Sequence, residues 1–589
     1  MKLKYLIYIA IFSGSLVACN VADLSPIDSF TDESYWTSVN DLKLYANGLY
    51  ENLGAPTATG DNISDNFVTN SYSSYLFNEL TIPAEAASSN GWYWNTIRNC
   101  NYFMQRYDKV TGSEEEINKY VAEVRFFRGL LYYDKIKSFG DVPWYETDLQ
   151  TSDTEELYKA RDDRDYVLGK IIEDIEFAIN WLPAKASAES GRLHKDAAKA
   201  QLARICLYYG TYKKYHNETS SDDSLSSTSL LKKAASLSKE IMDSGNYSIV
   251  KGTDAGSDQL AFDGYPLYYS NQFTQEDLST NAEGILCRFY ETGVLTHETG
   301  RQVSENGMGL SKDFVESFLM KDGTPIFNAG SGYEGDDNQE NEFANRDPRI
   351  YQIIDNKHRP YTVINGTRYV NQVADVVASK GVTGYPCVKF RSANSKQAEA
   401  RNTSYDWFVY RYAEVLLIYA EAQAELDLCT QEVLDKTINL LRDRIEMSHL
   451  KVNPIADARP INYGYNISNL LYEIRRERRI ELVAEGFRLD DLKRWNAMKL
   501  LENPKTMFGL KITNDVITAY AATNITFGGE SGRPTIEYDG VTYLYQYKAA
   551  KTLNDAGRVW SSGDRRWLSP IPSNEITLNA NLIQNPGWK

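Results

Sequence analysis

The chain has 589 residues, 42% of them hydrophobic and 24% charged, an ordinary globular balance that argues against disorder and gives material for one large core or several small ones. Asp and Glu outnumber Lys and Arg by 80 to 63, a formal charge of −17, which speaks against a nucleic-acid partner because such binders concentrate cations. Aromatic residues make up 12%, including 42 Tyr and 10 Trp; these amphipathic rings suit both wet binding surfaces and the seams between helices.

At the N-terminus Lys2 and Lys4 precede an apolar run from Tyr5 to Val17, followed by Ala18 and Cys19. A basic start, a short apolar core and a small residue before the cleavage point read as a secretory signal over residues 1–18, too short to span a bilayer. Cys19, directly after Leu16-Val17-Ala18, resembles the cysteine of the bacterial lipoprotein box, which makes its thiol a lipid anchor; an ordinary cleaved signal with a chance thiol is the alternative. Each buried acyl CH₂ contributes about 0.8 kcal/mol, so several chains on one cysteine hold a soluble body to a membrane. Residues 19–40 carry Pro, Ser, Asp and Thr with little periodicity and read as the lipidated end and a spacer. Residues 41–589 are then a single domain. The other cysteines, Cys100, Cys206, Cys287, Cys387 and Cys429, match neither metal knuckles nor a disulfide framework and are expected mostly as buried free thiols.

Helices dominate from there. Between Glu114 and Ser138, Val124, Phe127 and Leu131 line one face and Phe126, Leu130 and Tyr133 another, so this helix should be covered on two sides; Gly140 and Pro143 stop it. With Asp165–Trp181 it forms a first pair. A second begins near Leu193, where Ala197, Ala200 and Ala203 allow close approach of a partner over Leu230–Asp243, a pattern resembling a tetratricopeptide hairpin. Two more hairpins are readable over Tyr410–Ile445 and Leu470–Trp495. The expectation is a mainly α protein with about four tetratricopeptide-like units over 92–245 and 408–500. Non-periodic stretches rich in Gly, Asn, Asp and Tyr cover 54–91, 246–405 and 503–564 and should pack together as a loop-rich second lobe, where binding residues tend to lie.

Several motifs together resemble the SusD/RagB family of Bacteroidota outer-membrane lipoproteins. They are Ile97-Arg98-Asn99-Cys100-Asn101, Ala122-Glu123-Val124-Arg125-Phe126-Phe127-Arg128 leading to Phe139-Gly140-Asp141-Val142-Pro143, Asn345-Arg346-Asp347-Pro348-Arg349, the run Arg411–Ala422, and Arg478–Arg488. The C-terminal Leu568–Pro572, Asn579 and Gln584-Asn585-Pro586-Gly587 complete the set. The resemblance implies a SusD-like helical scaffold, an outer-membrane, lipid-anchored position facing the cell exterior, and partnership with a SusC-like TonB-dependent transporter for which such proteins capture glycan or peptide. It implies no catalysis and no cofactor.

A glycan site needs flat rings for the C–H face of a sugar and Asp, Asn, Arg or backbone groups for its hydroxyls. Gly91-Trp92-Tyr93-Trp94-Asn95 sits where a loop enters a helix, with Asp65, Asn66, Tyr72 and Tyr75 just upstream, and these supply both types; the family's sugar-binding aromatics often come from this region. Trp92 is expected to face ligand, whereas Trp94, at helical spacing before Ile97 and Asn101, suits core as well as ligand contact. No Trp lies between Gly284 and Leu310, a departure from the family's starch-binding pattern that leaves Tyr290 as a candidate, with strand packing as its other reading. The charged block Arg475–Arg494 reads as an ion-pair lattice inside the scaffold. HExxH, GxSxG and Walker-type loops are absent, and the five His show no ligand spacing, so no metal is expected. The expected function is capture of an oligosaccharide and its delivery to the transporter; peptide capture and a secreted glycoside hydrolase are the alternatives.

Overall fold

A computed structural model describes residues 35–251, 261–555 and 558–589. The expected signal peptide, Cys19 and most of the expected spacer lie outside the described residues; the spacer ends earlier than residue 40, because Trp36 is buried in the first apolar core and a helix begins at Val39. The fold is mainly helical, as expected from the apolar periodicity. Helix α1 (Val39–Asn47) leads to α2 (Asn95–Met104) and to the long α3 (Glu114–Phe139). Ser113 starts α3 with a capping box, its hydroxyl accepting from the Glu116 N–H at 3.3 Å while the Glu116 carboxylate accepts from the Ser113 N–H at 3.1 Å. Both apolar faces of α3 are covered, with Val124, Phe126 and Phe127 fully buried. Its end is set by Gly140, at φ 72°.

Helix α3 packs along α4 (Arg164–Trp181), and α5 (Lys195–His216) along α6 (Ser227–Asp243). Glycines set how closely each pair approaches. A Cβ on Gly129 would lie 3.0 Å from Ile175, and one on Gly210 2.9 Å from Leu231. Next come α7 (Tyr412–Glu425), α8 (Ile438–Arg444), α9 (Asn469–Glu481), α10 (Arg488–Arg494) and, near the C-terminus, α11 (Ser573–Leu578). Helix α7 packs on α6 and α9, and α10 on α5. The last two hairpins are shorter than the periodicity suggests. Tyr410 and Arg411 belong to a strand, and Asp427, Ala484 and Gly486, all at positive φ, break the helical path.

Strands β1 (Phe67–Thr69), β2 (Gly284–Arg288), β3 (Met308–Leu310), β4 (Thr362–Ile364), β5 (Thr367–Tyr369), β6 (Trp407–Arg411), β7 (Thr535–Tyr538) and β8 (Val541–Leu544) form two-stranded antiparallel pairs: β1 with β3, β2 with β6, β4 with β5, β7 with β8. The β1–β3 pair ties residues 67–69 to 308–310, and the Gly509 N–H donates to the Leu544 carbonyl at 2.8 Å, so distant loop segments join in one body. One apolar core runs through the helical pairs; a second gathers around Phe314, Ile353 and Val483, and a third around Trp495, Tyr545 and Trp560.

Helix α9 touches all three, with Ile474 in the first core, Ile480 in the second and Tyr472 in the third. Its charged residues are buried too, and they are neutralised in place. Glu481 pairs with Arg349, Arg411 and Arg444 at 3.1, 2.8 and 2.5 Å, Arg475 with Glu425 at 3.0 Å, and Arg478 with Asp491 at 3.0 Å. Three guanidinium groups hold the Glu481 carboxyl well below the usual carboxylate range despite its burial. The charged block is therefore the lattice its spacing indicated. Cys100, Cys206, Cys287 and Cys387 are buried free thiols and Cys429 is partly exposed. Among the described residues no helix is long and apolar enough to cross a membrane.

Candidate functional site: an aromatic groove at the end of α3

A groove of about 380 Å³ opens where three segments distant in sequence meet: the entry to α2, the loop that follows α3, and the C-terminal tail. Gly91, at φ 80°, turns the chain into α2. The Asn90 side chain holds that turn by accepting from the backbone N–H of Ala87 at 3.2 Å and of Trp92 at 3.1 Å. Trp92 then drops inward and Trp94 outward. Their rings meet edge to face at 5.4 Å, with Phe139 packed on the other side of Trp92 at 4.8 Å and Tyr145 against Trp94 at 5.7 Å.

Lys135 of α3 holds this turn from below. Its ammonium donates to the Gly91 carbonyl at 2.6 Å and the Tyr93 carbonyl at 2.7 Å, and lies 5.1 Å from the centre of the Trp94 ring. Burial pushes the amine down to about 8, against a weak opposing pull from Asp134.

The opposite wall is built by the loop after α3 and the tail. Asn101 donates to the Tyr145 carbonyl at 2.7 Å and the Thr147 carbonyl at 3.1 Å, and Arg98 to the Asp148 carbonyl at 3.0 Å, pinning the loop to α2. In the tail, Asn585 donates to the carbonyls of Phe139 at 3.0 Å and Ser569 at 2.7 Å and accepts from Arg161 at 2.8 Å. This clamp brings Leu578 and Leu582 opposite the indoles, together with the exposed Leu157 and Tyr158. The Thr147 hydroxyl and the Glu575 carboxylate line the same space without a side-chain hydrogen bond among the described residues. The groove thus offers an apolar, ring-lined floor and a rim with unspent donors and acceptors, which suits a ligand with one flat apolar face and polar edges. Among the described residues no three His, Cys, Asp or Glu side chains are placed to hold a metal ion.

The chain matches the model of the SusD family over residues 269–588, more than half its length. The chain belongs to the SusD family. A second model, described as starch-binding associating with outer membrane, matches residues 29–207. Two SusD-like relatives come from Formosa agariphila: SusD-like protein P2, 22% identical over 99% of this chain and 100% of its own, and SusD-like protein P38, 23% identical over 84% and 91%. Among solved structures, a SusD-like protein of Bacteroides fragilis superposes with a TM-score of 0.68 at 22% identity, covering 96% of this chain and all of that one. A SusD-like carbohydrate binding protein of the same organism gives 0.67 at 22% over 93% and 100%. A laminarin binding SusD-like protein gives 0.52 at 17% over 94% and 100%.

Of the seven residues expected at a ligand site on this SusD-family chain, the structure brings only Trp92 and Trp94 together. Trp92 is 1% exposed and forms the groove's backing, which corrects the expectation that it faces ligand; Trp94 is half-buried and presents the accessible ring. Asp65 is committed elsewhere, chelated by Arg488 at 2.7 Å through both oxygens and approached by Arg479 at 3.1 Å. Asn66 accepts from Arg479 at 2.8 Å and donates to Asp61 at 3.2 Å. Both are buried within the lattice, because unpaired guanidinium groups there would be too costly. Tyr75 donates its hydroxyl to the Arg566 carbonyl at 3.0 Å, and Tyr72 lies edge-on to Phe77 at 5.4 Å beneath the Lys551 ammonium; both pack against the third core. Tyr290 is buried edge-on to His297 at 4.6 Å. Sequence reasoning missed Tyr145, Tyr158 and the tail residues. The tail motif was visible, but nothing in a single sequence places it against α2.

Proposed function

We propose that this protein is a cell-surface glycan-binding lipoprotein that captures an oligosaccharide and hands it to a SusC-like TonB-dependent outer-membrane transporter. The carrying observation is the Trp94 ring, held half-exposed over the Trp92 floor beside Arg98, Thr147 and Glu575. A pyranose ring packs its C–H face on such an indole while its hydroxyls take the polar rim. Two structural neighbours, a carbohydrate binding and a laminarin binding SusD-like protein, support this reading, as does the outer-membrane association in the description of the second family model. The protein acts by binding, without catalysis. Cys19, acylated, would tether it, and the spacer would give it reach.

Calorimetry of the soluble body against purified neutral polysaccharides tests this reading, with Trp94→Ala as the control. A glycan bound by the wild type and lost in the variant supports it. Retained affinity in Trp94→Ala removes the groove, and hydrolysis products released from any polysaccharide would replace the reading with an enzymatic one.

A further inference from the structure

A second cavity, of about 580 Å³, lies away from the aromatic groove, between α9, the loop that precedes it and the segment following α10. Its lining is charged in both senses, yet four of its five carboxylates are held by arginine or lysine, while several of its cations are not fully paired. Every carboxylate that lines it already has a partner. Asp313 accepts from Arg479 at 2.8 Å and Asn503 at 2.7 Å, and Glu316 from Lys505 at 2.8 and 2.9 Å. Asp457 accepts from Arg476, Glu502 from the Trp560 N–H at 2.8 Å, and Asp65 from Arg488.

The donors are not used up. Arg475 and Arg479 are buried, and Nε of the first and Nη1 of the second have no hydrogen-bond partner among the described residues. At the mouth, Arg459 and Lys499 are exposed and make no ion pair among the described residues. Arg459 is held in place by stacking on Phe327, 4.3 Å from the ring centre. On a chain of net charge −17, a cleft lined by seven Lys and Arg side chains against five carboxylates is built against the prevailing field. Such a site attracts an anion locally, since charges beyond about 8 Å are screened at physiological salt.

We infer that this cleft is a second saccharide site, which takes the anionic substituent of an acidic sugar, a uronate carboxylate or a sulfate ester, at Arg459 and Lys499. The inference rests on the glycan-binding reading and extends it to a class of ligand that the neutral aromatic groove does not select. Arginine forks match carboxylate and sulfate oxygens in two-point geometry.

The test is calorimetry on the soluble body with an oligogalacturonate, a sulfated galactan oligosaccharide, a neutral β-glucan oligosaccharide and an acidic peptide, comparing wild type, R459Q/K499Q and W94A. Both substitutions in the double variant are at exposed positions, so the fold is retained. The expected result is that R459Q/K499Q binds at least one acidic saccharide about tenfold more weakly, the worth of a hydrogen bond to a charged group, and leaves the neutral one unchanged, while W94A does the reverse. The two acidic saccharides tell carboxylate from sulfate. Equal affinity of wild type and double variant overturns the proposal, as does a wild type that binds neither acidic saccharide or binds the peptide in their place. Loss of the neutral ligand's binding alone would count against the groove and not against the cleft.

Discussion

Trp92 and Trp94 are two residues apart and meet edge to face at 5.4 Å, yet one is 1% exposed and the other opens onto a groove. That division assigns them different consequences on substitution. Trp92→Ala removes a large side chain from the core and should lower stability by about 3 to 5 kcal/mol in chemical denaturation. Trp94→Ala, which removes a half-buried ring packed on Trp92 and Tyr145, should cost less stability than Trp92→Ala while weakening glycan binding by at least about tenfold, as loss of a central aromatic anchor does. A Trp92→Ala variant as stable as the wild type would contradict the buried position described above.

Lys135 gives the groove a pH signature. Burial brings the folded-state amine down to about 8 from 10.5. Below about 8 both folded and unfolded chains hold the proton, so this group adds no pH dependence. Between about 8 and 10.5 only the unfolded chain retains it, and raising pH therefore favours the folded state, by up to about 3 kcal/mol. Melting temperatures of wild type and Lys135→Met measured from pH 7 to 10 should diverge above pH 8, with the wild type gaining relative to the variant. Parallel curves would exclude a buried, shifted amine at this position.

Asp65 is structural. Its carboxylate satisfies Arg488 and Arg479 together, and the two cations hold it well below the usual carboxylate range. Asp65→Ala leaves the buried Arg488 guanidinium without its counter-ion and Arg479 with Asp313 alone, and should destabilise by about 3 to 5 kcal/mol. Because the folded-state carboxyl is the more acidic, its contribution is complete at neutral pH and is lost as pH falls below the unfolded value near 3.9. Urea titrations at pH 7 and pH 3 would show the deficit of the variant shrinking at the lower pH.

Asn585 ties the tail to the end of α3. Asn585→Ala strands the Ser569 carbonyl, leaves the Phe139 carbonyl with Arg161 as its donor, and takes one acceptor from Arg161. A loss of about 1 to 3 kcal/mol is expected, together with weaker glycan binding, since Leu578, Leu582 and Glu575 would no longer be held opposite the indoles. Binding unaffected in a destabilised variant would show that the tail wall does not contribute to recognition.

The helical pairs were legible because their signal is local. Apolar residues at a period of 3.6, the Ser113–Glu116 cap and the Gly140 stop are encoded within a few turns. The Arg475–Arg494 lattice was legible for a related reason: that many charges in one helical hairpin cannot all face solvent. The candidate site was legible in part. The pairing of Trp92 and Trp94 with a loop-to-helix entry located one wall, but the loop aromatics and carboxyl groups upstream were assigned by proximity in sequence, and Asp65, Asn66, Tyr72 and Tyr75 turned out to serve other cores.

Taken alone, the sequence determined the helical class, the family, the buried thiols and the ionic lattice, because each depends on residue type and spacing along the chain. Which indole faces outward and what stands across from it were decided only by tertiary structure. Residues 575–582 reach Trp94 across more than 470 positions, through hydrogen bonds from Asn585 to backbone carbonyls. Carbonyl groups are the same at every residue, so no side-chain pattern in a single sequence announces that contact.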